Sequence, residues 1–362
     1  MALLSPKMMS SQSARTVLSD HALPYLCRYL GVNAALRAAQ QKQLLVLSYH
    51  GVVSDEHYDP VHSDYTVSVT AFREQMEILV RYFRPVTVSE LADWWTGKAA
   101  LPRHPVLVTF DDGYKNNLTN AAPVLLQLGV PALIHICTGY IDQERILWML
   151  DIHRRVLHWP KGTIPIPGSE IEKRLDDPRQ RVPLASWVRQ ACKRLPHEEC
   201  ERYLNRLRET EIPESDARDQ EVFRFLSWDE VRTLQNKGFE IGSHTSEHPI
   251  LTRISGKRAD QELRASKLAI EEQTGTECRC FAYPNGGEEE VSKAITERVR
   301  QAGYRFAFTT MGQFCSRNES PFELGRISIP GNLSPTAFHN RVSGFHDLLK
   351  RYMLGNSHFP SI

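Results

Sequence analysis

The sequence predicts an α/β fold, an irregular (β/α) barrel of about seven parallel strands carrying a helical insertion. Short apolar runs alternate with amphipathic helical stretches along most of the chain, the pattern of a mostly parallel sheet. In addition, four polar clusters (His50, Asp111 with Asp112, His244 and Asn285) each lie just past the C-terminal end of a separate apolar run. In a parallel barrel those ends share one face, and active sites are built there.

Residues 21–40 carry Leu23, Leu26, Leu30 and Leu36 and read as a helix, so 1–43 is expected to be a helical lead-in. The run 44–49 is a strand ending at His50 and Gly51. A helix follows over about 70–83, with Thr70 as N-cap and Phe72, Met76 and Leu79 on one face. Strand 105–110 runs into Asp111, Asp112 and Gly113; helix 117–128 stops at Gly129, and strand 132–137 follows. A helix from Trp228 ends at Gly238, a usual left-handed stop, and leads into the strand before His244. A long charged helix, about 257–273, precedes strand 279–283, which ends in Pro284, Asn285, Gly286 and Gly287. Helix 289–301 stops at Gly303 before strand 304–309, and 322–329 reads as a last strand. The barrel is thus expected over 44–340, with a C-terminal tail at 341–362.

Between about 142 and 225 the rhythm breaks into a stretch rich in Arg, Glu and Pro, read as a helical insertion in the barrel and not as an independent domain. Leu147, Leu150, His153, Arg154 and Leu157 within it read as packing against the barrel or as a substrate cap.

Bulk properties exclude several classes. Lys and Arg number 44 against 43 Asp and Glu, which gives no electrostatic footprint for nucleic acid. No apolar run approaches the roughly 20 residues of a spanning helix. Residues 1–20 show no continuous apolar core and no clear cleavage site, so the expectation is a cytoplasmic protein. Seven scattered cysteines form no framework, and Cys278 and Cys280 are one residue too close for a zinc CxxC pair.

Two motifs carry chemistry. Asp111 and Asp112 close one apolar run with adjacent carboxylates, and His244 and His248 follow another, four residues apart. One carboxylate and two imidazoles leave positions open on a divalent metal, and the spare carboxylate can handle a proton, which outlines a hydrolytic metal site. Singly, each motif is ordinary: Asp and Gly tolerate turn dihedrals, and a His pair at this spacing often lies on a polar helix face. Their shared placement after strands is what points to chemistry.

These motifs resemble the polysaccharide deacetylase family, the NodB-homology carbohydrate esterases (family 4), over roughly 44–335. The family's TFDDG motif is matched in full at 109–113, its HxxxH motif at 244–248, and its third motif in part at 281–286. Tyr49, His50, Gly51 and Val52 look like the start of the exopolysaccharide-modifying branch, whose members deacetylate poly-N-acetylglucosamine. The resemblance implies a NodB-type barrel with Asp111 as general base. It implies Asp112, His244 and His248 as ligands of a divalent ion, Zn2+ first, with Co2+ or Ni2+ as substitutes. In that branch the general acid is a histidine of the early motif, which matches His50; no Leu-x-His follows Gly303, and Ile327 to Pro330 stand where one would be sought. The backbone N–H of Asn285 matches the oxyanion donor. Two features depart from the family. Ala282 occupies the place of an Arg that orients the base, and no late Trp occurs in 304–310; Arg326 could swing toward Asp111 instead.

The expected function is metal-dependent hydrolysis of an N-acetyl group on an amino sugar of a glycan or glycan precursor, nucleotide-linked or lipid-linked. A lipid-linked substrate would bring peripheral membrane association. One alternative keeps fold and metal but takes a small non-sugar amide, as in related allantoin-hydrolysing enzymes; loop aromatics such as Tyr114, Trp148 and Trp228 would favour a sugar. Another is a non-catalytic glycan-binding homologue, which the missing Arg allows. A two-His-one-carboxylate iron oxygenase shares the ligand set but places it on a jelly-roll.

Overall fold

The computed structural model describes residues 31–213 and 222–345. Of the expected lead-in helix it contains Val32–Ala39; Leu23, Leu26 and Leu30, and the tail beyond 345, lie outside the described residues.

The barrel strands are β1 (Leu45–Tyr49), β2 (Pro105–Phe110), β3 (Ala132–Ile136), β4 (Glu240–Ser243), β5 (Cys280–Ala282), β6 (Phe306–Thr309), β7 (Leu324–Gly325) and β8 (Ile327–Ser328). All pair in parallel, in the order β7-β6-β5-β4-β3-β2-β1-β8, with the short strand Arg84–Pro85 added on β2. The two ends of this order are halves of one segment broken at Arg326. Gly325 pairs with Thr309 on one side, and Ile327 with Leu47 on the other. The ring is nearly closed, and its eight strands fill about seven stave positions.

Side chains alternate across each strand, and the alternation sorts two layers. Leu45, Leu47, Tyr49, Val106, Val108, Phe110, Ile134 and Phe281 pack outward in the main core with Phe72, Met76 and Leu79 of the helix Val69–Tyr82. Val46, Leu107, Leu133, Cys280, Phe306 and Phe308 fill the lower barrel interior. Continued upward in the same phase, the interior series brings Ser48, Thr109, Asp111, His135, His244 and Ala282 to the barrel mouth.

Several elements depart from expectation for local reasons. Ser68, not Thr70, caps the helix Val69–Tyr82, because the Ser68 side chain accepts from Ala71 N–H while the Thr70 hydroxyl donates to Asp55 at 2.7 Å. The expected helix 117–128 opens with a wider turn, Asn117–Ala121, before Ala122–Leu128, where Pro123 has no N–H to continue the ladder. The expected helix 289–301 starts at Lys293, capped by Ser292. The last expected strand is two strands of two residues each. A helix at Val88–Thr96 was missed, although Thr87 and Glu90 form a full capping box.

The region after β3 folds as the helices Trp148–Leu157, Arg181–Arg194 and His197–Arg208 with a small antiparallel hairpin, Thr163–Pro165 and Glu172–Arg174. It has its own core, including Ile152, Val156, Trp159, Leu184, Val188 and Leu204, joined by Ile250 from the barrel side. Leu147 and Leu150 pack with Tyr114, Val53 and Phe225 beside the barrel mouth.

Candidate metal centre and active site

Asp111 ends the inward series of β2, and Arg326, fully buried at the break between β7 and β8, meets it as a fork. Arg326 Nη1 and Nη2 donate to Asp111 Oδ1 and Oδ2, each at 2.7 Å. Nη1 also reaches Thr109 Oγ1 at 3.1 Å, and Nε reaches the Thr309 carbonyl at 3.2 Å. The guanidinium that the third motif lacks at Ala282 is thus supplied from the other side of the ring. Burial alone would raise the Asp111 pKa, but Arg326 holds it well below the usual carboxylate range. Ionised Asp111 can only accept, so His135 Nδ1, 3.1 Å from Oδ1, carries the proton. Burial pushes the His135 pKa down, so its ring is neutral. A Cβ on Gly242 would stand 2.5 Å from His135 Cδ2, so the glycine is what admits this ring to the interior.

Arg326→Met is expected to cost about 3–5 kcal/mol, because it strands Asp111 as an unpaired buried charge. A carboxyl with a depressed folded pKa contributes stability above its unfolded value near 3.8 and loses it as pH falls through the folded value. In the variant the carboxyl is raised instead, so ionising it becomes a penalty as pH rises. Urea denaturation should therefore show the widest gap between the proteins near neutral pH and a narrower one below about pH 4. A gap independent of pH would uncouple Arg326 from Asp111.

Asp112 breaks the alternation. Its φ of 73° turns the chain into the left-handed region, so it does not follow Phe110 outward but stays buried at the mouth. Gly113 continues the turn at φ 87°, where a Cβ would lie 2.9 Å from Ile136 Cγ2. Thr245 and His248 are also left-handed, at φ 69° and 53°. Such backbone costs on the order of 1–3 kcal/mol per residue and persists where the surroundings impose it. Here they do. Cys137 N–H donates to the Asp112 carbonyl at 3.2 Å and Thr138 N–H to the Thr245 carbonyl at 3.1 Å. Glu262 accepts from the N–H groups of Ser246 and Glu247 at 2.9 and 3.0 Å. Trp148 Nε1 donates to the His248 carbonyl at 3.1 Å.

The result is a convergent donor set. His244 Nδ1 donates to the Ala282 carbonyl at 2.8 Å, which leaves the Nε2 lone pair toward Asp112. Nε2 of His244 and Nε2 of His248 each lie 3.6 Å from Asp112 Oδ1, and the three ligand atoms fall within 4.8 Å of one another. Donors about 2.0–2.2 Å from a tetrahedral ion are themselves about 3.3–3.6 Å apart. Asp112 Oδ1 is buried and accepts no hydrogen bond. Burial, the largest influence, holds His244 down at about 4 and His248 well below its usual value, so both rings keep a lone pair. Burial also pushes Asp112 up to about 6. These residues fit a divalent cation, which would relieve the buried carboxylate and use both lone pairs.

His50 stands above β1 with its carbonyl held by Asn117 Nδ2 at 2.7 Å and its ring edge-on to Tyr65, centroids 6.2 Å apart. It lies within electrostatic reach of both Asp112 and His248. Asn285 sits past β5 at φ 65°, its carbonyl accepting from Thr310 Oγ1 at 2.7 Å. Of the aromatics expected in loops, Tyr114 and Trp148 are core residues, and Trp228 is partly buried against the main core. Sequence reading missed His135, Glu262 and the use of Trp148. Only His135 left a signal, as the one titratable side chain in the otherwise apolar strand β3.

Residues 98–307, more than half of the chain, match the family model described as polysaccharide deacetylase. That span holds both aspartates, both histidines and Asn285, but neither His50 nor Arg326. A putative polysaccharide deacetylase of Bacillus subtilis, YxkH, is 24% identical over 113 residues, 31% of this chain and 39% of that protein. The fold is similar to that of the Streptococcus pyogenes deacetylase PplD, solved in complex with acetate, with a TM-score of 0.55 and 16% identity over 83% of this chain and 99% of that one. It is also similar to IcaB from Ammonifex degensii, with a TM-score of 0.54 and 20% identity over 83% of this chain and 97% of that one.

Proposed function

The chain belongs to the polysaccharide deacetylase family, and on that premise we propose that it is a metal-dependent hydrolase removing an N-acetyl group from an amino sugar of a glycan or glycan precursor. One observation carries the reading. Asp112, His244 and His248 stand at metal-ligand separations while Asp111, one residue away, is bound elsewhere by Arg326.

In this reading Asp112, His244 and His248 hold the ion, for which the nitrogen-rich donor set favours Zn2+, with Co2+ or Ni2+ as substitutes. A divalent ion there polarises a carbonyl and makes water acidic enough to attack at neutral pH. Asp111 accepts the proton of the attacking water. Its Oδ1 is already filled by Arg326 and His135, whereas Oδ2 has a second partner only in Ser48 Oγ at 3.5 Å, so Oδ2 is the oxygen left for that proton. Arg326 weakens Asp111 as a base but keeps it ionised and aimed. His50 protonates the departing nitrogen, and the Asn285 N–H stabilises the oxyanion. With a guanidinium on Asp111 after all, the sequence-based reason for a non-catalytic homologue falls away.

The reading places the protein in the cytoplasm, which the free, buried state of the six described cysteines supports. No helix among the described residues is long and apolar enough to cross a membrane; if the substrate is lipid-linked, the reading is one of peripheral association. Nucleic acid is not an expected partner. Acetate release should be assayed on an N-acetylglucosamine oligomer, a nucleotide-linked N-acetyl sugar, a lipid-linked one and allantoin. Release from at least one sugar is expected; turnover of allantoin alone would replace the sugar by a small amide.

A further inference from the structure

Where the insertion meets the barrel mouth, two buried polar side chains lack the partners their chemistry demands. Arg189, on the helix Arg181–Arg194, is 6% exposed. Its Nε is enclosed without a hydrogen-bond partner, and its one carboxylate contact, Nη2 to Asp64 Oδ2, is long at 3.3 Å. His153, on the helix Trp148–Leu157, is 3% exposed, and neither ring nitrogen has a partner. An enclosed polar group left unpaired is destabilising, more so when charged, so this pairing of deficits needs a reason.

Both side chains contact Tyr65, and His153 also packs edge-on against His62 with centroids 5.4 Å apart. The Arg189 guanidinium lies 5.0 Å over the Tyr65 centroid, and the His153 ring is edge-on to Tyr65 at 6.4 Å. Tyr65 also makes a T-shaped contact with His50, centroids 6.2 Å apart. Arg189, His153 and the proposed general acid thus share one neighbour, the Tyr65 ring. Lys193, one turn beyond Arg189, is within electrostatic reach of Arg189 and Asp64.

We propose that Arg189 and His153, presented by the insertion, form a subsite for an oxyanion, a carboxylate or phosphate carried on the group next to the N-acetyl sugar. The proposal rests on the deacetylase reading and narrows its substrate to an anionic glycan or precursor. A planar guanidinium and an imidazole N–H suit oxygens held in a plane or fork. Asp64, whose side chain is 68% exposed, marks the side from which a ligand oxyanion reaches Arg189 and is the group it displaces. Tyr65 is the wall between this subsite and the reacting sugar.

The test is calorimetric titration of the full chain with three probes: N-acetylglucosamine 1-phosphate, a disaccharide of glucuronate and N-acetylglucosamine, and neutral di-N-acetylchitobiose. One anionic probe should bind about 10–100-fold more tightly than the neutral one, and which one does so separates phosphate from carboxylate. Arg189→Gln should bring that probe to the neutral level without altering di-N-acetylchitobiose binding, and Arg189→Lys should keep part of the preference. A wild type that does not distinguish the probes would overturn the proposal and leave ordered water as the occupant, an outcome that needs no folded variant. Equal weakening of all probes by Arg189→Gln would overturn it too. Acetate release without anionic preference would defeat this inference alone; anionic preference without acetate release from any sugar would defeat the deacetylase reading alone.

Discussion

Asp111→Asn is expected to remove most turnover while leaving metal content near that of wild type. The amide keeps the shape of the carboxylate but cannot take a proton from water, and general-base contributions run to about 10²–10⁴ in rate. Its metal content should hold because both Asp111 oxygens are bound by Arg326 and Oδ1 by His135 as well, whereas both histidine Nε2 atoms face Asp112 Oδ1. Asp112→Asn should lose metal and activity together, since Asp112 Oδ1 is the atom that both Nε2 atoms face. Metal analysis alongside kinetics separates the two roles. Equal loss of metal in both variants would mean that the base and the ligand have been assigned wrongly.

His50→Ala should slow hydrolysis of an N-acetyl sugar by about 10²–10⁴. An amine anion is a very poor leaving group, so the tetrahedral intermediate collapses productively only if the nitrogen is protonated. Imidazole is the side chain whose ordinary pKa suits that donation near neutrality. An activated ester, whose leaving group needs no proton, should suffer far less, and metal binding should survive because His50 is not among the converging donors. Equal losses on amide and ester would make His50 a structural or binding residue.

How much of this was legible in the sequence varied with the range of the interaction. Asp111 and Asp112 could be placed because a short apolar run ends in them, and His244 and His248 because a glycine-stopped helix and a short strand precede them. The barrel followed from the repeated strand–helix alternation. Arg326 could be named but not placed, because its two flanking strands have two residues each and no periodicity announces them. Its meeting with Asp111 depends on ring closure through β1 and β6. His135 is adjacent to Asp111 only because β3 pairs with β2 with Phe110 opposite Ile134, a register that no local pattern encodes. Nor does any motif report that Trp148 holds the His248 carbonyl, or that Tyr65 joins His50 to the insertion. Those contacts arise from how the insertion docks.

The most direct test of the account is metal removal and return, read as acetate release from an N-acetylated sugar oligomer. The account predicts that the chelated protein is inactive but folded, and that Zn2+ restores activity with a break at one equivalent in wild type but not in Asp112→Asn. Undiminished acetate release from demonstrably metal-free protein would contradict it, and so would zinc-dependent activity that persists in Asp112→Asn.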